Sequence, residues 1–276
     1  MSIYINGVKD TAEVDKTNAI ESATDRVWIG HGDDELNQWW SYPFTGYIDE
    51  VRISAVARSQ CWIETAHNNQ SSPSTFYAVG VEESHYSYRK QITIDHTKVG
   101  ASCSSDLTDF PVLVSIQDDA DLLTTANGGK VENQNGYDIV FMASDGRVRL
   151  SHEVEKYDGN SGTLVAWVKV PTLKANEDTV IYMYYGNSAI TSSQENAAGV
   201  WDSNYAAVWH LKETTGGSGA IKNSTSYSND GTNSAGLSLG ATGKMNGAIY
   251  FDGAGDYVTV PSPTNTDPAN LLTVSA

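Results

Sequence analysis

The sequence is poor in basic residues and cysteine, and it has no long apolar run. Lysine and arginine together number 17 against 34 aspartates and glutamates, which gives a net charge of −17. Nucleic acids and anionic membrane surfaces are bound by clustered lysine and arginine, so neither is an expected partner. The apolar stretches are far shorter than the ~20 residues of a membrane-spanning helix, so no membrane insertion is expected. The acidic balance fits a solvated exterior, divalent-cation sites, or both.

The two cysteines, Cys61 and Cys103, stand far apart, and the sequence has no CxxC pattern and no cysteine–histidine cluster. Zinc binding is therefore not expected. The two thiols either form a disulfide or stay unpaired and partly buried. Because they fall in different segments of the predicted layout, we expect the unpaired state.

Strand patterns dominate what the sequence does contain. Apolar and polar residues alternate with period two at 91–94 and 165–170, and dipeptides such as Asn135-Gly136 and Asp252-Gly253 supply turns. A single persuasive helical stretch covers 58–68. These patterns predict an all-β fold of two β-sandwich units, divided into an end segment 1–80, a middle domain 84–204 and a second end segment 205–276.

The two end segments carry motifs of one family in reversed order. Segment 205–276 contains W-H-L at 209–211, I-Y-F-D-G at 249–253 and D-Y-V-T-V at 256–260. It resembles the N-terminal half of a concanavalin A-like, laminin G-like jelly roll. Segment 1–80 contains I-Y-I-N-G at 3–7 and F-T-G-Y-I-D-E-V-R-I at 44–53, and it resembles the C-terminal half of the same domain.

The middle segment resembles the DUF2341 family, whose function is unassigned. The resemblance is carried by Y-R-K-Q-I-T-I at 88–94, L-T-D-F-P-V-L-V at 107–114, G-Y-D-I-V-F at 136–141 and Y-M-Y-Y-G-N at 182–187. In proteins of this family the domain commonly precedes a laminin G-like domain, as it does here. The resemblance implies a DUF2341-type β-sandwich flanked by a split or permuted jelly roll.

The two jelly-roll halves do not add up to one whole domain, because strands that family members carry between them are missing. Both termini also read as cuts through strands. The chain is then a slice through a tandem array, or neighbouring chains complete each other by strand exchange, or the halves pair within one chain as a circular permutant around the middle segment. We expect a slice, and some partner for the halves, because an open sandwich exposes strand edges and apolar faces.

Carboxylates near the predicted jelly-roll turns are candidate metal ligands. The resemblance implies a structural Ca²⁺ held by Asp49, Asp252 and Asp256, since hard oxygen ligands in loops suit this ion. The alternative is structural: Asp49 accepts hydrogen bonds from backbone amides and Asp252 caps a turn.

Aromatic residues in a predicted loop are the candidate ligand contacts. Trp39, Trp40 and Tyr42 precede the F-T-G-Y string, and exposed rings of this kind stack on sugars or anchor protein contacts. His152-Glu153-Val154-Glu155 offers paired carboxylates, but no partner motif supports catalysis, so we predict no catalytic residues and no enzyme activity.

These observations predict a non-catalytic, extracellular or cell-surface binding and adhesion module of a large prokaryotic surface protein. Its expected partner is carbohydrate or an extracellular matrix or surface protein. One alternative is a structural repeat or filament subunit that self-associates through the incomplete jelly-roll halves. A weaker alternative is an accessory domain of a glycoside hydrolase.

Overall fold

The computed structural model describes residues 4–9, 27–30, 44–83, 87–227, 229–261 and 273–275. The described chain is mostly β-strand, which confirms the all-β prediction. It divides into two compact units. Unit 1 comprises Met1–Asp15 and Arg58–Val200, and unit 2 comprises Lys16–Ala57 and Trp201–Ala276.

The strands of the described residues are, in chain order, β1 (Tyr4–Ile5), β2 (Val8–Lys9), β3 (Val27–Ile29), β4 (Thr45–Ile48), β5 (Val51–Ser54), β6 (Tyr77–Glu83), β7 (Tyr88–Ile94), β8 (Leu107–Ile116), β9 (Val140–Ala143), β10 (Arg149–Leu150), β11 (His152–Asp158), β12 (Thr163–Leu173), β13 (Thr179–Tyr185), β14 (Tyr205–Trp209), β15 (Thr232–Asn233), β16 (Ser238–Thr242), β17 (Gly247–Asp252), β18 (Val258–Val260) and β19 (Thr273–Ser275). The α-helices are α1 (Gln60–Ser71), α2 (Pro73–Phe76) and α3 (Ala197–Val200).

Unit 1 is a β-sandwich with one core. A five-stranded sheet in the order β10-β9-β13-β7-β6 and a three-stranded sheet in the order β11-β12-β8 contribute to it. Every second residue of β8 and β12 enters this core, for example Val112 and Val168, where they join Ile92 and Met183 of the larger sheet. The period-two alternation read from the sequence therefore marks the core face of the sandwich.

Helix α1 belongs to unit 1 and is fixed there by a disulfide. Ser59 caps the helix by accepting the Trp62 N–H at 3.2 Å, and Cys61, Thr65 and Asn69 form its buried face at four-residue spacing. Cys61 is bonded to Cys103, with the Cα atoms 4.6 Å apart. The expectation of two unpaired thiols is therefore wrong, because the helix that we predicted to lie in the first end segment packs beside the chain that follows β7.

The described residues of unit 2 form three small sheets around a second core. Their strand orders are β14-β5-β19, β15-β18-β3 and β16-β17-β4. Residues from all three sheets meet in this core, among them Ile53, Trp209, Phe251 and Val258.

The two ends of the chain share every sheet of unit 2. Strands β3, β4 and β5 pair with β18, β17 and β14, and β19 adds to the free edge of β5. Val51 lies opposite Trp209, and Ile48 lies opposite Ile249. The two halves therefore pair within this chain, as the third arrangement requires, and each half supplies hydrogen-bonding partners for the other. The slice through a tandem array stays a prediction.

Candidate functional site

A pair of tyrosines lies on the outward face of sheet β16-β17-β4. Tyr47 of β4 is directly opposite Tyr250 of β17, and their ring centroids are 4.9 Å apart. The next residues along β17, Ile249 and Phe251, are fully buried in the core of unit 2. Because side chains alternate across a strand, the tyrosine rings are on the opposite, solvent side, and Tyr47 is 65% exposed.

Polar groups border the two rings. Ser238 of β16 is opposite Tyr250, and Asp252 is opposite Thr45 in the row next to the tyrosines. All three of these polar residues are exposed. Rows on one face of a strand are about 7 Å apart, so hydroxyl and carboxylate oxygens lie within reach of a ring-sized ligand resting on the tyrosines. The arrangement can offer stacking and hydrogen bonding together.

Gly253 shapes the polar end of this site. Its φ of +81° is in the left-handed region, and a side chain there would collide with Thr45 Oγ1. Asp252 Oδ1 accepts the Ala254 N–H at 2.7 Å, and Asp256 Oδ2 accepts the Asp252 N–H at 3.1 Å. The turn at 252–256 is thus held by its own aspartates.

An outward-facing tyrosine of unit 1 is arranged differently. The guanidinium of Arg89 lies 4.4 Å from the ring centroid of Tyr182. This ring is therefore engaged by a cation of the protein itself. The Tyr47–Tyr250 pair has no such cation among the described residues, which makes it the better candidate for an external ligand.

The three predicted metal ligands do not come together. Asp252 and Asp256 share one turn, whereas Asp49 follows β4 at the other end of the β4–β17 pair. Asp49 Oδ2 accepts the Lys244 N–H at 3.1 Å. The hydrogen bonds of the structural alternative are present for both Asp49 and Asp252, and the calcium site stays a prediction.

The predicted ligand contacts Trp39, Trp40 and Tyr42 lie outside the described residues. Their assignment as ligand-binding residues therefore stays a prediction. Tyr47 was missed at the sequence level although it lies in the F-T-G-Y-I-D-E-V-R-I string, because nothing local shows that it faces Tyr250.

A second group in unit 2 was also missed. His210 Nδ1 lies 2.7 Å from Glu50 Oε1, and the two side chains are only 3% and 1% exposed. The ring of Trp201 is 5.8 Å from that of His210. Glu50 comes from the first end of the chain and His210 from the other, so this buried pair joins the two halves. Glu50 and His210 lie in the D-E-V-R and W-H-L strings that carry the family resemblance. That the two side chains meet depends on the register of the paired strands and cannot be read from either string.

Two carboxylates of the acidic loop at 118–121, those of Asp119 and Asp121, are paired with lysines within unit 1. Lys90 Nζ lies 2.7 Å from Asp119 and 2.9 Å from Asp121, and Lys130 Nζ lies 3.0 Å from Asp121. Burial by itself would lower the pKa of Lys90, but hydrogen bonds and charges of the two aspartates raise it. These carboxylates act as partners for lysines rather than as an open cation site.

One further group of metal-ligating atoms appears among the described residues of unit 1. Asp95, His96 and Asp178 bring such atoms within 4.8 Å of one another. His96 Nδ1 lies 2.7 Å from Asp178 Oδ1, and Asp95 Oδ1 accepts the Thr97 N–H at 2.8 Å. The hydrogen bonds from His96 hold the pKa of Asp178 below its ordinary value. The set is accounted for as a hydrogen bond between a histidine and a carboxylate and as a turn cap, and we assign no metal to it.

The 152–155 stretch that invited a catalytic reading lies on β11. His152, Glu153 and Glu155 are all buried, and the pairing with β12 shifts register between Val154 and Lys156. The His152 ring packs 5.4 Å from that of Phe141. Burial lowers the pKa of His152 to about 4. The histidine is therefore neutral at neutral pH and packs as a core residue.

His152 makes the stability of unit 1 depend on pH. Its pKa is 6.5 in the ordinary state and about 4 when folded, so between these values only the unfolded chain binds the proton. The full stability is present above pH 6.5, the ordinary pKa. It is lost as the pH falls through the folded-state pKa of about 4, by about 3 kcal/mol in total. The test measures the free energy of unfolding in urea at acidic and at neutral pH. The difference between the two pH values should be smaller in His152→Leu than in the wild type, because the variant lacks this titrating group. Equal differences for the two proteins would contradict this.

The fold and the site define the class: an all-β protein with a sandwich unit and a second unit whose sheets are shared by both ends of the chain. Residues 135–252 match the family described as Domain of unknown function (DUF2341). Residues 1–64 match the Laminin_G_3 family, described as the Concanavalin A-like lectin/glucanases superfamily. The suspected pairing of these two families is thus confirmed, and the DUF2341 match extends into strands of unit 2.

The concanavalin A-like match supports a generic carbohydrate-binding or adhesion-type module. A search of curated proteins and a search of solved structures each found no match. Among the described residues, no helix has the length and apolar character needed to cross a bilayer.

Proposed function

We propose that this chain is a non-catalytic, extracellular module of a large prokaryotic surface protein and that it binds carbohydrate through the Tyr47–Tyr250 face. The single observation that carries the proposal is the exposed aromatic pair on the outward side of a sheet in unit 2. Aromatic faces stack on the apolar faces of sugar rings, and nearby oxygens bind their hydroxyl groups. The lectin-containing superfamily matched at 1–64 supports the same ligand chemistry.

Two further observations support the extracellular part of the proposal. The Cys61–Cys103 disulfide is of a kind that forms and persists in oxidising compartments. Laminin G-like domains are typically extracellular.

In the self-associating alternative, strands of neighbouring chains pair with the incomplete jelly-roll halves. In unit 2, strands β3, β4 and β5 pair instead with β18, β17 and β14 of the same chain, which favours the binding module over this alternative. The glycoside hydrolase alternative requires a catalytic domain, and we propose none here.

Replacing either tyrosine should weaken glycan binding without unfolding the protein. Tyr47→Ala and Tyr250→Ala each remove one ring of the pair, and we expect roughly tenfold weaker binding, equivalent to about 1.4 kcal/mol. The measurement is a glycan array with the full chain, followed by titration calorimetry on the polysaccharides that bind. Circular dichroism checks that the variants are folded.

The matched control is Tyr182→Ala, which removes an outward tyrosine of unit 1 that Arg89 already covers. It should leave glycan binding unchanged. The double variant Trp39→Ala/Trp40→Ala tests whether those residues add to the same site. Wild-type affinity in both single tyrosine variants, or no glycan bound by the wild type, would overturn the proposal.

A further inference from the structure

We infer that the Tyr47–Tyr250 face selects uncharged glycans and rejects anionic ones, with Asp252 as the selecting group. This inference rests on the proposed function and adds the ligand class. It is argued from the position of one carboxylate relative to the aromatic pair and from the charges at the two ends of that pair.

Asp252 is placed to meet a sugar that rests on the tyrosines. It lies two residues beyond Tyr250 on the same face of β17, about 7 Å along the strand, which is close to the width of one pyranose ring. Its side chain is exposed, and Thr45 stands opposite it on β4. A sugar on the rings therefore presents its hydroxyl groups to a carboxylate and a hydroxyl.

The carboxylate is held in place before any ligand arrives. Oδ1 accepts the Ala254 N–H at 2.7 Å, and the backbone N–H of Asp252 donates to Asp256 Oδ2 at 3.1 Å. Among the described residues, the bond from the Ala254 N–H is the only hydrogen bond that Asp252 Oδ1 accepts, and Oδ2 accepts none. A carboxylate oxygen that is fixed and open to solvent accepts sugar hydroxyl donors at low entropic cost.

The charge at this end of the face has one sign. Asp252 and Asp256 share the turn. Asp256 is only 9% exposed, so a second carboxylate lies beneath the surface next to Asp252. At the other end, the backbone N–H of Lys244 donates to Asp49 Oδ2 at 3.1 Å. The whole chain carries −17. A sulfate or carboxylate on the ligand would approach Asp252 with no cation of the 252–256 turn to offset the repulsion.

The test compares neutral polysaccharides with anionic derivatives of the same backbone. The probes are dextran against dextran sulfate, and hydroxyethylcellulose against carboxymethylcellulose, measured by affinity electrophoresis with the full chain at low salt. We expect each neutral polymer that binds to be retained at least about tenfold more strongly than its anionic counterpart, and the gap to narrow as salt screens the charges.

Asp252→Asn should reduce the neutral-to-anionic ratio by roughly three- to tenfold, since the one negative charge that the proposal places next to the bound sugar is removed. The matched control is Asp145→Asn in unit 1. Asp145 is also exposed, and its Oδ1 also accepts the N–H two residues later, from Arg147, so the control changes the net charge equally in the same kind of turn. It should leave the ratio unchanged.

The outcomes separate the inference from the proposed function. If neutral polymers bind and the tyrosine variants lose them, but Asp252→Asn leaves the ratio unaltered, the inference fails and the function stands. A wild-type preference for the anionic polymers also overturns the inference. If none of the neutral polymers binds and the tyrosine variants behave as wild type, both fail.

Discussion

Asp138→Ala is expected to lower the free energy of unfolding of unit 1 by about 4 kcal/mol. Asp138 is completely buried, and its carboxylate accepts four backbone N–H groups. Glu132 and Asn133 donate at 2.9 and 3.0 Å, and Gly186 and Asn187 donate at 2.9 and 3.2 Å. Alanine would leave these amides without an acceptor in the interior, and an unsatisfied buried amide costs more than an average hydrogen bond contributes.

The loss should be concentrated where the carboxylate joins two parts of the chain. Asp138 connects the loop at 132–133 with residues 186–187 after β13, and Asp138 and residues 186–187 belong to stretches that carry the DUF2341 resemblance. Native-state hydrogen exchange of peptides from β13 and β9, together with urea denaturation of the full chain, measures the effect. Asp138→Asn keeps one oxygen acceptor and should lose about half as much.

Asp145→Ala provides the matched control for this prediction. Asp145 also accepts two backbone N–H groups, from Arg147 at 2.9 Å and Val148 at 3.2 Å, but it does so at the surface. Water can replace its carboxylate, so the variant should stay close to wild type. If Asp138→Ala and Asp145→Ala lowered the free energy of unfolding equally, burial of the carboxylate would not determine the size of the loss, and the prediction would be wrong.

Removing the disulfide should destabilise unit 1 by a similar amount. The bridge spans 42 residues. For a loop of that length, the chain-entropy estimate is about 4 kcal/mol near room temperature. The variant is Cys61→Ala/Cys103→Ala, and the measurement is its free energy of unfolding from urea denaturation. The denaturant slope is fitted separately for each protein, because a denatured chain without the cross-link exposes more surface.

The folded unit should survive this change, because hydrogen bonds also hold α1 to the segment after β7. Thr65 Oγ1 accepts the Gly100 N–H at 2.5 Å, and the Glu64 carboxylate accepts from Ser102 N–H at 2.9 Å. A reducing agent should lower the wild-type midpoint to that of the variant and leave the variant unchanged. A wild-type midpoint that does not respond to complete reduction would contradict the prediction.

Local patterns predicted the strands better than the site. The alternation at 165–170 and the helix over 58–68 correspond to β12 and α1, because period and capping are encoded in neighbouring residues. The disulfide was misjudged because Cys61 was assigned by its position in the sequence, whereas α1 packs with unit 1. Asp138 was visible only as part of a family motif, since its four donors come from two distant stretches.

The candidate site shows the same limit. Asp49, Asp252 and Asp256 were grouped by their proximity to turns, but strand register places Asp49 at the opposite end of the β4–β17 pair from the other two. Tyr47 and Tyr250 looked unrelated in the sequence. Only the antiparallel pairing of β4 with β17 brings their rings together.

The sequence by itself determined the excess of negative charge, the β-strand character and the two family regions, because these depend on composition and on spacing along the chain. Tertiary structure decided which strands share a sheet and which side chains face solvent. Backbone groups at a strand edge need partners, and here the partners of β3, β4 and β5 lie beyond residue 204. That pairing creates the exposed tyrosine face, so the site exists only once the two ends of the chain have met.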